Sequence, residues 1–237
     1  MFQGYKACAI ILMGGTGARF GGATPKQFLM LGEKPIYRYS LDILIDLNVF
    51  DEIVLVCHAD WQFRVLSEIK ASIGIESIRV ITGGETRQTS SFAGLSAFST
   101  PPDVVLIHDA VRPFITPKIV TDNLIAALNY GAADTCIPSF DTLVYAPNKR
   151  AIASIPQRED FQRGQTPQTF RFDWILEAHE QASFKGIANA TDDCTLVAAT
   201  GRPIAIVPGN EMNFKITSEF DLILARAVLQ NRETAIS

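Results

Sequence analysis

Five short runs dominated by Ile, Val and Leu, at 7–13, 52–58, 78–82, 104–109 and 133–138, alternate with stretches of helical spacing. That alternation constrains the fold more than any other feature. A strand covered on both faces reads as a near-continuous apolar run rather than as a period-two pattern. The intervening segments 36–47, 59–73, 89–98 and 116–131 repeat apolar residues at helical spacing, which predicts helices packed on a sheet. Strand and helix in alternation predict an α/β fold, a mainly parallel sheet with helices on both faces.

A chain of 237 residues suits one large domain, taken here as 1–237. The regularity fails after about residue 138, where "SFDTLVYAPNKRAIASI" reads as a hairpin: 142–146, a turn at 147–150, then 151–155. An arm spanning 138–162 is therefore expected within the single domain. Helical spacing returns at 173–184 and 191–200; short strands "PIAIVPG" and "NFKIT" then precede a closing helix at 218–230.

No apolar run reaches the roughly 18–20 residues that span a bilayer. The first residues carry one lysine and no small-residue cleavage site, so a cytoplasmic protein without a membrane anchor is expected. The net charge of −4, with no basic run, argues against a nucleic-acid partner. Cys8, Cys57, Cys136 and Cys194 are scattered, with no pair at zinc or dithiol spacing, and are expected to be buried reduced thiols.

"ILMGGTGARFGGATPKQF" (11–28) follows the first strand, where ligands of such sheets meet backbone N–H groups. Gly14, Gly15 and Gly17 allow an anion to approach the backbone closely. The dinucleotide fingerprint fails because Phe20 stands where its third glycine belongs, and the P-loop fails for want of Gly-Lys. What remains is Arg19 and Lys26, with Pro25 stiffening the chain before the lysine. Two cations beside a ring of amides suit a triphosphate whose charge grows as pyrophosphate leaves. The plainer alternative is a tight turn with two solvated cations.

Three further stretches carry candidate chemistry. In "GGETRQTSSFAGL" (83–95), Thr89, Ser90 or Ser91 either caps a helix or helps a glycine turn read a base or ribose through Ser90. In "LIHDAVRPFIT" (106–116), Asp109 ends a strand, where one carboxylate and phosphate oxygens would suit Mg²⁺, and Arg112 is placed for a second phosphate. His108 should face the other way from Asp109. "NATDDC" puts Thr191, Asp192 and Asp193 at a helix start, one of them as its cap. Lys215 lies among apolar neighbours in "NFKIT", a costly position unless it meets an anion.

In order, the glycine loop with "PKQF", "GGETRQTS", "HDAVRPF", "QTPQTF", "TDDC" and "NFKIT" resemble the cytidylyltransferases that act on 2-C-methyl-D-erythritol 4-phosphate and the similar ribitol 5-phosphate enzymes. The resemblance spans nearly the whole chain. It implies a Rossmann-like fold of the nucleotide-diphosphosugar transferase kind and a homodimer clasped through the 138–162 arm. The implied reaction is Mg²⁺-dependent transfer of CMP from CTP to a polyol phosphate. By the same resemblance, Met13, Gly14, Gly15, Gly17, Arg19 and Lys26 form the CTP loop, and Arg19 and Lys26 stabilise the reacting α-phosphate. Gly84, Glu85, Ser90 and Ala110 meet cytosine and ribose, and Asp109 takes the metal and substrate position. Arg112, Arg158, Thr166, Thr191 and Lys215 meet the acceptor, Arg158 serving the partner subunit's site.

Some positions depart from the pattern. Met13 and Gly14 stand where many members have two alanines, and the arm lacks a tryptophan common before "TPQ" in methylerythritol enzymes. "HDAVRPF" and "NFKIT" look closer to the ribitol branch and "TDDCTLV" to the other, so the motifs leave the acceptor open. Two alternatives share the fold. A sugar-1-phosphate nucleotidyltransferase is opposed by "HDAVRPF" and "QTPQTF", and a non-catalytic nucleotide-binding protein by the intact charged set Arg19, Lys26, Asp109, Arg112, Arg158 and Lys215.

Overall fold

The computed structural model describes residues 1–15, 24–72 and 77–236. Its main sheet contains β1 (Ala7–Met13), β4 (Glu52–Cys57), β5 (Ile78–Thr82), β6 (Val104–Asp109), β7 (Ala132–Pro138), β8 (Gln162–Arg171) and β9 (Ala205–Pro208). The two remaining strands, β2 (Met30–Leu31) and β3 (Lys34–Pro35), form a separate small hairpin. Around the main sheet lie α1 (Ile36–Asp46), α2 (Ala59–Ser72), α3 (Arg87–Ser96), α4 (Pro117–Tyr130), α5 (Phe172–Phe184), α6 (Asp193–Ala198) and α7 (Glu219–Ile236).

The spatial order is β5-β4-β1-β6-β8-β7-β9. The first four strands run parallel, as the apolar runs predicted, and β9 is parallel to β7. β8 is antiparallel to both of its neighbours. The sequence reading missed β8 for a physical reason. It contains Gly164 and Pro167, and most of its buried residues are polar: Gln165, Thr166, Gln168 and Thr169, on both faces, are mostly held by side-chain hydrogen bonds instead of apolar packing.

All seven residues of β1 are buried. Its alternation sends Ala7, Ala9, Ile11 and Met13 into one core with side chains of α1, α2 and α4. Ile10 and Leu12 enter a second core with α3, α5 and α6 on the other face. Each fully buried aliphatic side chain contributes about 1.5–3 kcal/mol. A third cluster, Leu31, Ile36, Phe114, Ile216, Leu222 and Ala225, seats α7 beside the β2–β3 hairpin. At the end of α4, Gly131 takes φ +92°, and a Cβ there would lie 2.3 Å from the Trp174 ring.

From β1 the chain builds outward to β4 and β5, then returns to place β6 on the other flank of β1. This reversal opens a crevice beyond the C-terminal ends of β1 and β6, where Leu12 pairs with Asp109. The predicted hairpin in the arm is reduced to one antiparallel bridge, Tyr145 to Ser154. Its turn is closed by Asn148 Oδ1, which accepts from the Arg150 and Ala151 amides. "NFKIT" forms no strand; it is tied down by the Ile216 amide donating to the Val111 carbonyl and by Asn213 Nδ2 donating to Gln165 Oε1 and the Thr166 carbonyl. Cys8, Cys57, Cys136 and Cys194 are buried free thiols. Among the described residues no helix is long and apolar enough to cross a membrane.

Candidate active site

The crevice is a cleft of about 540 Å³. Met13, Gly14, Gly15, Lys26, Gly84, Glu85, Ser90, Asp109 and Lys215, all expected at the site, line it together with Leu12, Gln27, Thr86, Arg87, Val111 and Thr217. Gly17 and Arg19 lie outside the described residues.

The first glycine turn is fixed by a residue the sequence reading did not single out. Gln27, in a single 3-10 turn at Lys26–Phe28, is buried and donates from Nε2 to the carbonyls of Met13 (2.6 Å) and Gly15 (3.0 Å). Two carbonyl oxygens are thereby engaged by an amide, which leaves the turn less repulsive to an anion. The second turn meets the first at Ser90, whose Oγ donates to the Gly84 carbonyl (3.2 Å). A Cβ on Gly83 would lie 2.7 Å from Ser90 Oγ, and one on Gly84 2.3 Å from Thr89 Oγ1. Glycine is required there by close approach. The cap of α3 is Thr86, in a reciprocal capping box with Thr89, so none of Thr89, Ser90 and Ser91 is the N-cap residue.

At the floor, Asp109 is met by two cations from distant parts of the chain. Arg87 Nε lies 3.2 Å from Oδ1, and Lys215 Nζ 2.7 Å from Oδ2. Burial by itself would raise the Asp109 carboxyl, but Arg87 and Lys215 outweigh it and hold the group far below the usual carboxylate range. Arg87 also reaches Asp193, Nη1 to Oδ2 at 2.7 Å. Burial opposes the Arg87 charge, yet the two carboxylates raise its pKa above the ordinary arginine value. Arg87 is the chief functional residue missed from sequence. It lies inside "GGETRQTS", but nothing in the pattern connects it to residues 22 and 106 positions away.

Among the three residues of "TDD", Asp192 is the cap of α6, accepting from the Thr195 amide. Asp193 is buried and accepts from Ser91 Oγ (2.7 Å) and His179 Nε2 (3.0 Å) as well as from Arg87. Thr191 is exposed, with its hydroxyl 3.4 Å from that of Thr195. It is not among the cleft-lining residues.

Ala110, Arg112, Thr166 and Arg158 also lie outside the lining. Ala110 is buried, its amide donating to the Leu12 carbonyl. Arg112 donates to the Asn213 carbonyl, and burial lowers its pKa. Thr166 Oγ1 accepts from the Asp109 amide (3.0 Å) and meets His108 Nδ1 (3.1 Å). Burial pushes His108 down to about 4, so the ring is neutral near pH 7; its Nε2 donates to the Arg112 carbonyl. Arg158 stands in the arm, bonded to Glu159 and the Phe140 carbonyl.

A mainly parallel sheet, two glycine turns converging on one serine and a carboxylate held between cations at the sheet's reversal define a nucleotidyltransferase. The chain belongs to the family described as IspD: 2-C-methyl-D-erythritol 4-phosphate cytidylyltransferase, whose model matches residues 7–231. It is 37% identical over 230 residues to the ribitol-5-phosphate cytidylyltransferase of Lactiplantibacillus plantarum, covering 94% of this chain and 98% of that one. Among solved structures, the 4-diphosphocytidyl-2C-methyl-D-erythritol synthase of Anaerococcus prevotii superposes with a TM-score of 0.84 at 29% identity, covering 96% of this chain and 100% of that chain. The 2-C-methyl-D-erythritol 4-phosphate cytidylyltransferase of Thermus thermophilus gives 0.73 at 33% identity, over 93% and 98%.

Proposed function

We propose that this protein transfers CMP from CTP to an acyclic polyol phosphate, either 2-C-methyl-D-erythritol 4-phosphate or ribitol 5-phosphate, releasing pyrophosphate. The observation that carries the reading is the convergence of both glycine turns, Lys26, Asp109 and Lys215 on one cleft. Met13, Gly14, Gly15 and Gly17 cradle the triphosphate, and Arg19 and Lys26 offset charge on the α-phosphate. Gly84, Glu85, Ser90 and Ala110 take cytosine and ribose. Lys215, with Arg112, Thr166, Thr191 and the partner's Arg158, receives the acceptor.

An acceptor phosphate oxygen attacks the α-phosphorus of CTP in line, the new P–O bond forming as the bond to pyrophosphate breaks. A phosphate is already ionised at neutral pH, so no deprotonating base and no covalent enzyme intermediate are needed. Catalysis is then positioning and charge neutralisation. Mg²⁺ suits the donor set: Asp109 offers one carboxylate, which accepts one cationic donor on each oxygen and so retains about two of its four lone-pair positions. One carboxylate plus phosphate oxygens and water is the arrangement Mg²⁺ prefers, and when bound it would neutralise phosphate charge. Among the described residues no group of three or more His, Cys, Asp or Glu forms a protein-only cage.

The arm supports a homodimer: Phe140, Tyr145, Ile152, Ile155 and Phe161 are all exposed on it. The protein is read as cytoplasmic, consistent with nucleotide and sugar-phosphate substrates. A nucleotide panel tests the reading. Pyrophosphate release with CTP well above that with UTP or GTP, abolished by chelation, is expected; a preference for UTP or GTP would support a sugar-1-phosphate nucleotidyltransferase instead.

A further inference from the structure

The two cations on Asp109 are held in different ways. Lys215 has 38% of its side chain exposed, and among the described residues its Nζ pairs with Asp109 in a bridge open to the cleft. Arg87 spans two carboxylates. Beyond it, Asp193 has 1% of its side chain exposed and is held by Ser91, by His179 and, through its own amide, by Gln168 Oε1 at 3.1 Å.

We propose that Arg87 is a positioning residue, locked by Asp193 and holding the Asp109 carboxylate in place while Lys215 exchanges Asp109 for the acceptor's phosphate. The inference rests on the cytidylyl-transfer reading above. Withdrawing Arg87 would leave Asp193 buried without its counter-charge, a state buried carboxylates avoid. The guanidinium therefore stays on Asp193, and its Nε stays beside Asp109 Oδ1. Lys215 leaves no such buried orphan, because Arg87 remains on the Asp109 carboxylate when the ammonium swings away. A planar fork reaches two carboxylates in fixed directions, whereas a lysine ammonium is a single point. This is why arginine is needed at residue 87, on the first turn of the helix between the two acids. The network converts a flexible acid at a strand end into a fixed one, and the anchor lies outside the cleft on α6.

The test uses the full chain with CTP and whichever acceptor the wild-type protein accepts. Wild-type pyrophosphate release establishes the reaction first; inactivity there would break the functional reading, and the Arg87 Nε–H resonance below would then decide the linkage alone. Given an active wild type, Arg87→Lys and Asp193→Asn are each expected to lower kcat by about 100-fold with KM for CTP changed by no more than about threefold. The double variant should be little worse than either, because both break one linkage. A second readout needs no turnover: the Arg87 Nε–H resonance in ¹⁵N NMR should persist in slow exchange in the wild type and be lost in Asp193→Asn. A folded Arg87→Lys protein with kcat within about threefold of wild type would overturn the proposal. So would losses in the two variants that multiply in the double. If Asp193→Asn does not fold, Arg87→Lys decides alone, since it retains a cation for Asp193.

Discussion

Around the cleft, β1 and β6 bury every residue they contain, whereas from Phe140 to Gly164 no residue is buried. The first region has two helical layers over it and closes its own polar network, Gln27 on the glycine turn and Arg87 between two acids. The second has one isolated bridge and a row of uncovered aromatic and aliphatic side chains. The difference teaches where completeness lies. The cleft is walled by residues with buried neighbours, while Arg158, proposed to serve the acceptor, stands on a segment with no core of its own.

The largest effect expected concerns the cleft. Lys26→Ala should lower turnover by about 10³-fold or more, with far-ultraviolet circular dichroism unchanged, since the variant removes a charge from the cleft. Near-normal turnover would break the assignment of the cleft. A second experiment sharpens the contrast. Arg158→Ala should lose about 10²-fold in activity, and mixing it with Lys26→Ala should restore roughly a quarter of wild-type turnover if the arm completes the partner's site and subunits exchange freely. No recovery after unfolding and refolding the mixture would mean that each site is served within one chain.

The next contrast is in stability. Ile10→Ala in β1 should cost about 2–5 kcal/mol by urea denaturation. Ile155→Ala in the arm should cost under about 0.5 kcal/mol at protein concentrations low enough to separate subunits. Equal losses would show that the arm packs as a core does.

The smallest effect lies between the two regions, at Asp134 on β7. Burial raises this carboxyl to about 6, with the Asp192 carboxylate adding to the shift. Its folded pKa exceeds its unfolded one, so its stability contribution is intact below about pH 4 and is lost as pH rises through about 6. Asp134→Asn should therefore raise the stability measured by urea denaturation at pH 8, by about 1–2 kcal/mol, and leave it nearly unchanged at pH 4. Equal gains at both pH values would contradict the assignment.

The fold was legible wherever burial made a strand read as an apolar run, as in β1, β4 and β6. It was illegible in β8, because polar side chains there bond to Asn210, Asp134 and His108 instead of packing apolar surface, and sequence periodicity carries no record of such partners. Much of the cleft could be read from local grammar: glycines after a strand, an acid at a strand end, a lysine among apolar neighbours. Arg87 could not. Its role depends on Asp109 and Asp193 meeting it from two other elements, and neither sits at a spacing that announces the contact. Gln27 escaped notice for the same reason, its partners being backbone carbonyls that have no identity in sequence.

Pyrophosphate release from CTP, measured side by side with 2-C-methyl-D-erythritol 4-phosphate and ribitol 5-phosphate, tests the central claim most directly. The account predicts Mg²⁺-dependent release with at least one of the two and formation of the matching CDP-polyol. No release with either acceptor, from folded protein in the presence of Mg²⁺, would contradict it.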